Sequence, residues 1–129
     1  MSKRPAISRG ELEVARSVWE LGEATVGQVF ERLAERKEID YTTVQTYLRR
    51  LETKGYLRTR RDGRHKVYRP RVGAGDVIRE TVSDLVDRLF DGETLGLWQH
   101  LIHDRKITAD ETRQLRELLD EWEADQNAS

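Results

Sequence analysis

The chain has 129 residues, with 23 Lys/Arg and 24 Asp/Glu, so its formal net charge is only -1 although 36% of the residues are charged. This length leaves room for one ordinary domain, or a small domain with an oligomerisation segment, and excludes a large two-domain enzyme. Cysteine is absent, which excludes disulfides, cysteine-ligated zinc and thiol-based sensing. Because no stretch approaches the apolar length of a membrane span, we expect a soluble, cytoplasmic protein without membrane insertion.

Charge is distributed unevenly along the chain. Residues 1–75 carry 17 Lys/Arg against 10 Asp/Glu, a net of +7, whereas residues 76–129 carry 6 against 14, a net of -8. Such asymmetry is typical of a nucleic-acid-binding half joined to a half with another partner, although a helix-rich surface also segregates charge by chance. We therefore predict two domains, a DNA-binding domain over 1–72 and a helical dimerisation domain over 73–129.

Two helix-start motifs open the sequence. Ser8 and Glu11 have the spacing of a capping box, in which each side chain bonds to the other residue's backbone amide, and they predict a helix over about residues 9–21. Thr25 and Gln28 repeat the spacing and predict a second helix. The apolar residues at helical spacing are Leu12, Ala15, Val18 and Trp19 in the first helix, and Val29, Phe30 and Leu33 in the second.

Positive charge is concentrated in residues 41–71, which hold ten Lys/Arg. Thr42 and Gln45 match a third capping box, and Gly55 suits the left-handed end of the helix that follows. Two basic segments then flank Asp62-Gly63, a dipeptide suited to a tight hairpin turn. Their residues alternate in the pattern of β-strands, so they predict a hairpin. Three helices followed by a basic hairpin predict a mainly α fold with a small β-hairpin, namely a winged helix-turn-helix followed by a C-terminal helical dimerisation segment.

The third helix has one apolar side and one polar side. Its apolar residues are Val44, Tyr47, Leu48 and Leu51. The side facing away from them is short, polar and basic, and it consists of Thr42, Thr43, Gln45, Thr46, Arg49 and Arg50. Such a face suits insertion into a DNA major groove, where threonine and glutamine contact base edges while arginine reaches guanine or phosphate. In the wing, the residues predicted to bind flanking phosphate are Arg58, Arg60, Arg61, Arg64 and Lys66.

Other interpretations of the basic region stay open at this point. A basic hairpin can be merely a solvated edge that discourages aggregation. The region can also be a winged-helix interaction module that binds nucleic acid non-specifically or meets an acidic protein partner. Four tyrosines, Tyr41, Tyr47, Tyr56 and Tyr68, could stack on bases, yet their spacing favours packing between helix and hairpin, with Tyr41 as the expected exception.

Three further amphipathic helices are predicted in the second half, over about residues 76–90 and 94–103 and after a capping box formed by Thr108 and Glu111. Helices of this size cannot bury their apolar faces on one another alone, and a second copy of the chain is the simplest partner. The predicted dimer interface consists of Val82, Leu85, Leu89, Leu97, Trp98, Leu101, Leu115, Leu118 and Trp122. The alternative is that this tail packs back on its own winged helix.

Catalytic chemistry finds little support in the sequence. His100 and His103 have a spacing compatible with a metal pair, but no third ligand is fixed by the pattern and no cysteine is present. The acidic pair Asp110 and Glu111 lies at a helix start, where the helix dipole already favours negative charge. No phosphate-binding loop or nucleophile elbow occurs. We therefore predict a protein that is not an enzyme and that has no cofactor and no metal site.

Three stretches carry a resemblance to a known family. They are residues 13–19 (EVARSVW), residues 41–44 (YTTV) and residues 50–57, where Arg-Leu precedes Lys-Gly-Tyr-Leu. With them the sequence resembles the penicillinase and methicillin-resistance repressors (BlaI/MecI type) over nearly its whole length. The resemblance implies a homodimer whose winged helices bind a dyad-symmetric double-stranded DNA operator of the TACA/TGTA kind. The fold alone also allows an activator, but the compact tail shows no ligand-binding or activation domain, so we expect repression by occlusion of promoters. The resemblance assigns base and backbone contacts to the outward residues of the third helix and flanking phosphate to the wing.

The resemblance also bears on regulation. Members of the family that sense copper use a C-terminal cysteine motif, which this chain lacks. Well-studied members are inactivated under the control of a membrane-embedded zinc metalloprotease sensor, which cuts an Asn-Phe bond in the second dimerisation helix. The aligned pair here is His100-Leu101, which keeps a large apolar residue and has lost the asparagine. The resemblance therefore implies cleavage at His100-Leu101 and a metalloprotease sensor as a partner.

Overall fold

The computed structural model describes residues 4–105 and 107–128, and it has a mainly helical fold with one β-hairpin. The elements in chain order are α1 (Arg9–Leu21), α2 (Val26–Ala34), α3 (Tyr41–Lys54), β1 (Leu57–Asp62), β2 (His65–Pro70), α4 (Ala74–Leu89), α5 (Thr94–Asp104) and α6 (Ala109–Ala128). Three helices followed by a hairpin confirm the predicted winged helix-turn-helix. The chain divides into two compact units, the first ending at Glu80 and the second beginning at Thr81. Across the described ranges, none of the helices combines the length and apolarity needed to cross a membrane.

The first two helices begin as the sequence predicts. Ser8 Oγ accepts a hydrogen bond from the Glu11 amide at 3.2 Å, and Glu11 Oε1 accepts one from the Ser8 amide at 2.9 Å. Thr25 and Gln28 form the equivalent pair at 3.2 and 2.9 Å. Each pair satisfies two backbone donors that a helix start leaves without a partner. Both predicted capping boxes are confirmed.

The third predicted capping box is wrong. Helix α3 begins at Tyr41, and Asp40 is its N-cap, in an extended conformation with φ -89° and ψ 145°. The Asp40 carbonyl accepts the Val44 amide at 3.1 Å, which places Thr42 inside the first helical turn, where its hydroxyl cannot cap the helix. The helix ends as predicted at Gly55, which has the left-handed φ of 90°.

The hairpin turn is displaced by one residue from the predicted Asp62-Gly63 centre. Asp62 pairs with His65 across the antiparallel strands, so the loop residues are Gly63 and Arg64. Gly63 has a φ of 62°, a conformation open to glycine without steric cost, and as the first loop residue it sets the turn. The position of the turn depends on the pairing register of the two strands as well as on the turn residues, and the dipeptide alone does not specify that register.

The core of the first unit lies between α1, α2, α3 and the hairpin. Its fully buried residues from the predicted apolar faces are Ala15, Val18, Val29, Val44, Leu48 and Leu51. Val14, which was not predicted, is buried with them, whereas Leu12 and Trp19 are only half-buried. Tyr56 and Tyr68 are buried in the same core, as predicted, and Val77 of α4 also joins it. Burial of this α3 face fixes which of its residues point outward.

The second unit consists of the remainder of α4 with α5 and α6. Asp91 and Gly92, at φ 51° and 81°, end α4 as predicted. The Thr108 and Glu111 capping box is confirmed, with bonds of 3.0 and 3.1 Å between each side chain and the other residue's amide. Neither α5 nor α6 has a buried residue among those described. The large apolar residues exposed in this unit are Val82, Leu89, Leu95, Trp98, Ile102, Leu118, Leu119 and Trp122.

Candidate nucleic-acid interface

The exposed side of α3 carries the residues that the sequence analysis assigned to DNA. Thr42, Arg49 and Arg50 are exposed, and Thr43, Gln45 and Thr46 are half-buried. All six lie off the buried row formed by Val44, Leu48 and Leu51. A helix with one buried face therefore presents a polar and basic surface on its other side, which is the geometry that a major groove accepts.

The outward residues of α3 line two separate depressions. Thr46, Arg49 and Arg50 line one shallow groove with Thr53 and Lys54. Thr43 instead lines a depression with Tyr47 and residues that precede α3. Thr53 was missed by the sequence analysis, although its spacing of seven from Thr46 and four from Arg49 places it in line with them on the helix surface. One groove therefore lies along the middle and end of α3, and the other depression lies at its start.

The predicted wing residues fall into two groups. Arg58, Arg61 and Arg64 are exposed, and no ion pair involving them is found within residues 4–105 and 107–128. Arg60 donates to Glu23 at 2.6 Å, and Lys66 donates to Glu52 at 3.1 Å. The first group is available to phosphate as it stands, whereas the second is already paired inside the protein.

Glu52 joins α3 to both strands of the hairpin. Its Oε2 accepts a hydrogen bond from Thr59 Oγ1 at 2.8 Å, and its Oε1 accepts one from Lys66 Nζ. Burial raises the pKa of Glu52, but these two hydrogen bonds and the Lys66 charge outweigh it and hold the pKa below its ordinary value. Lys66 Nζ also lies 5.3 Å from the centre of the Tyr68 ring, a cation–π arrangement. The wing is therefore fixed to the helix by polar contacts as well as by the core.

A second carboxylate, Glu11 of α1, forms an ion pair with Lys54 at the end of α3. Glu11 is only 1% exposed, and Lys54 Nζ donates to its Oε1 at 2.7 Å. Lys54 also donates to the Ala6 carbonyl at 2.9 Å. Burial raises the pKa of Glu11, yet bonds from Lys54 and Ser8 outweigh it and lower the pKa. In the sequence Glu11 is recognisable only as a capping residue, because the members of this ion pair are 43 residues apart.

The residues before α1 pack on the end of α3. Arg4 Nε donates to the Gly55 carbonyl at 3.2 Å, and Arg4 Nη1 pairs with Glu80 at 2.5 Å. Tyr56 Oη donates to the Pro5 carbonyl at 2.6 Å. Burial raises the pKa of Tyr56, with a further contribution from the nearby Glu80 charge. These contacts hold the left-handed end of the helix in place from outside the core.

Two tyrosines remain near the α3 surface. Tyr41 is 46% exposed. Its ring and the Phe30 ring pack in an edge-to-face arrangement, with 5.6 Å between the ring centres. Tyr47 is half-buried and lies 5.9 Å from the Arg50 guanidinium. This agrees with the prediction that Tyr41 is the exception to tyrosine packing. The 5.9 Å between the Tyr47 ring and the Arg50 guanidinium is within the range of a cation–π contact.

His100 and His103 of α5 are both exposed. His100 Nδ1 lies 3.1 Å from Asp104 Oδ2, one turn along α5, and both side chains are exposed. In the ranges that the structure describes, no group of three or more His, Cys, Asp or Glu is arranged to hold a metal ion. The bond between His100 and Leu101 lies inside α5, with Leu101 half-buried.

Comparison with known proteins identifies the family of this chain. The family model for the penicillinase repressor matches residues 7–121. The chain belongs to the penicillinase repressor family. The transcriptional regulator BlaI of Mycobacterium tuberculosis is 35% identical over 127 residues, covering 96% of this chain and 90% of that protein. The penicillinase repressor of Bacillus licheniformis is 28% identical over 121 residues, covering 94% of each.

A solved structure of a family member also matches part of this chain. It is the solution structure of Bacillus licheniformis BlaI in its monomeric form, in complex with the blaP half-operator. It is 36% identical, with a TM-score of 0.50, and the match covers 59% of this chain and 93% of that chain. Membership of this family agrees with the prediction that the chain is a DNA-binding regulator and not an enzyme.

Proposed function

We propose that this protein is a dimeric, sequence-specific DNA-binding transcriptional repressor that occludes promoters by binding a dyad operator of the TACA/TGTA kind. The observation that carries the proposal is the groove on α3 lined by Thr46, Arg49, Arg50 and Thr53, beside an exposed basic wing. Its membership of the penicillinase repressor family supports the same conclusion. The relative from Bacillus licheniformis was solved bound to a half-operator, which supports a DNA ligand over an acidic protein.

The two parts of the surface have different roles in this proposal. Residues 42, 43, 45, 46, 49 and 50 of α3 enter the major groove, where the threonines and the glutamine contact base edges and the arginines contact guanine or phosphate. Arg58, Arg61 and Arg64 of the wing bind flanking phosphate, which positions the helix without reading sequence. Arg60 and Lys66 add phosphate contacts by exchanging their internal partners. Residues 1–72 thus form the DNA-binding domain.

A homodimer completes the proposed assembly. Residues 73–129 form the dimerisation domain, and the exposed apolar residues of α4, α5 and α6 supply its interface. A two-fold dimer places two copies of α3 on successive half-sites, so a palindromic operator mirrors the symmetry of the protein. An apolar surface of this extent on one chain calls for a partner.

Selection of bound duplexes from a random DNA pool tests the proposal. At moderate salt, where non-specific phosphate binding is reduced, we expect enrichment of a palindrome with half-sites about one helical turn apart. The enriched sequences then locate the regulated promoters by search of the genome. If a folded dimer enriches no motif, the basic face serves bulk phosphate or a protein partner, and the proposal is rejected.

Substitutions on α3 and on the wing are expected to have different effects. Thr46→Ala or Arg49→Ala should cost on the order of 1 to 3 kcal/mol of operator binding and relax the preference for one base position. Arg61→Ala should weaken binding to all duplexes alike and reduce the salt slope by about one phosphate contact. Fluorescence anisotropy at several salt concentrations measures both quantities.

Arg116→Ala is the matched control for these arginine substitutions, because it removes one exposed positive charge from α6 in the second unit. It should leave affinity and salt slope unchanged. Equal losses on every duplex from Thr46→Ala, Arg49→Ala and Arg61→Ala would show that α3 does not read sequence.

Inactivation by proteolysis is the regulatory part of the proposal. We assign the cut to His100-Leu101 in α5, made under the control of a membrane-embedded metalloprotease sensor. Because α5 has no buried residue of its own, local opening of this helix in a free chain costs little, whereas dimerisation would protect it. Incubation with the cognate protease followed by mass spectrometry should give fragments 1–100 and 101–129. Finding that bond intact after loss of operator binding would reject the assignment.

A further inference from the structure

Glu52 is an acidic residue on a helix surface that is otherwise polar or basic. It is the only Asp or Glu in the sequence of α3. Its carboxylate is held by Thr59 of β1 at 2.8 Å and by Lys66 of β2 at 3.1 Å. A negative charge beside a surface that meets phosphate weakens binding to DNA of any sequence. Its presence at this position therefore calls for a compensating role.

The two partners of Glu52 lie on the same face of the hairpin. Thr59 pairs with Tyr68 across the strands, and Arg61 pairs with Lys66, so side chains of all four residues share one face. Thr59 and Lys66 therefore approach α3 together. One carboxylate thus connects the helix to both strands and restricts the angle between the helix and the wing.

The contact also changes what Lys66 can do. A lysine paired with a carboxylate must give up that partner before it can bind a phosphate, so it adds less to the affinity for arbitrary DNA than a free lysine. The Glu52 and Lys66 side chains are 35% and 43% exposed, so DNA phosphate can reach the pair. Arg60, paired with Glu23 at 2.6 Å on the other face of the wing, is restrained in the same way.

We propose that Glu52 is a specificity-determining positioning residue of the DNA-binding surface. By holding Thr59 and Lys66, it fixes the wing against α3 and keeps Lys66 from binding phosphate indiscriminately. Phosphate contacts from the wing then form fully only when α3 is docked in the groove. Glu52 lowers affinity for arbitrary DNA more than affinity for the operator, and so raises discrimination. This inference rests on the proposed operator-binding function.

The test is to compare wild type with Glu52→Gln on the selected operator and on a scrambled duplex of equal length. In Glu52→Gln, affinity for the scrambled duplex should rise about two- to fivefold, the range expected for release of one exposed ion pair. Its salt slope should steepen by up to about 0.9, the value for one added phosphate contact. Operator affinity should rise less, so the ratio of operator to scrambled affinity falls.

Two control variants separate charge from positioning. Asp62→Asn removes the same charge from the exposed end of β1 without touching a contact to α3, and it should change both affinities by one factor and leave their ratio unchanged. Thr59→Val removes the hydroxyl that bonds Glu52 and keeps every charge, and it should lower the ratio without changing the salt slope. Thermal unfolding by circular dichroism checks that each variant is folded.

The outcomes are distinct. If wild type does not discriminate between the duplexes, the proposed function itself fails. If wild type discriminates and Glu52→Gln keeps the same ratio and salt slope, the inference is overturned while the proposed function stands. A fall in the ratio that Asp62→Asn reproduces would reduce the effect to net charge and also overturn it. Should Glu52→Gln fail to fold, the ratio measured for Thr59→Val decides.

Discussion

Replacement of Lys54 by methionine is expected to cost about 3 to 5 kcal/mol of unfolding free energy, the cost of removing one partner from a buried ion pair. The substitution leaves the Glu11 carboxylate, only 1% exposed, without the ammonium that now lies 2.7 Å from it. It also removes the bond from Lys54 to the Ala6 carbonyl. Urea unfolding followed by circular dichroism measures the loss.

Glu11→Gln is the complementary change and should cost less than Lys54→Met. The glutamine amide oxygen can still accept the Ser8 amide bond, and the Lys54 side chain, at 26% exposed, keeps access to water. The double variant should lose less than the sum of the two single losses, because the pair is in direct contact. Strict additivity would show that the two groups do not interact in solution.

Lys37→Met provides a matched control, because Lys37 pairs with a carboxylate on α1, the helix that also carries Glu11. Lys37 pairs with Glu13, two residues after Glu11, at 3.3 Å, but the side chains are 44% and 34% exposed. An exposed pair of this kind is worth about 0 to 1 kcal/mol. Losses of similar size from Lys37→Met and Lys54→Met would mean that burial of Glu11 does not determine the effect.

The contribution of Glu11 should also depend on pH. Its pKa lies below the ordinary value of 4.5, because bonds and charge from Lys54 and Ser8 outweigh the effect of burial. A lowered folded-state pKa contributes stability that is fully present above the unfolded pKa and is lost as pH falls through the folded one. The gap in unfolding free energy between wild type and Glu11→Gln should therefore be constant above about pH 5 and shrink below it. A constant gap down to about pH 3 would contradict this assignment.

Local signals in the sequence predicted the helices well, because their causes are local. The capping boxes at Ser8, Thr25 and Thr108 involve residues three apart, so a short stretch contains the whole interaction. The match at Thr42 failed for a physical reason, since the helix begins two residues earlier. The Asp40 carbonyl takes the first helical bond there, although the Asp40 side chain makes no capping hydrogen bond. A motif cannot show which of two neighbouring caps the backbone uses.

Long-range polar contacts at the candidate site could not be predicted in the same way. The sequence shows Lys54 and Lys66 only as members of a basic stretch, and both have specific carboxylate partners in the structure. Those partners are known only once α3 is packed against α1 and the hairpin, because the pairs span 43 and 14 residues. Composition therefore predicted where DNA should lie, while the structure distinguishes free wing cations from paired ones.

Disruption of the proposed dimer should have the largest effect on operator binding. Trp98 and Leu118 are 43% and 61% exposed in the second unit, and they line one groove with Leu101 and Leu115. Polar residues, among them Arg105 and Glu111, line the same groove. Burying this surface against a second chain is favourable in proportion to its apolar area, and a charge placed in it should prevent association. We therefore expect Leu118→Asp to be monomeric by analytical ultracentrifugation at concentrations where wild type is dimeric.

The monomer should bind a single half-site as wild type does and lose about 10²- to 10⁴-fold in affinity for the full palindrome, because the second half-site no longer adds an intramolecular contact. Leu21→Asp is the matched control, since Leu21 is 39% exposed at the end of α1 in the first unit, and it should stay dimeric. A Leu118→Asp protein that remains dimeric would place the interface elsewhere. A wild-type chain that is monomeric and binds half-site and palindrome equally would instead mean that the exposed faces of α5 and α6 await a different partner, and that each half-site is read independently.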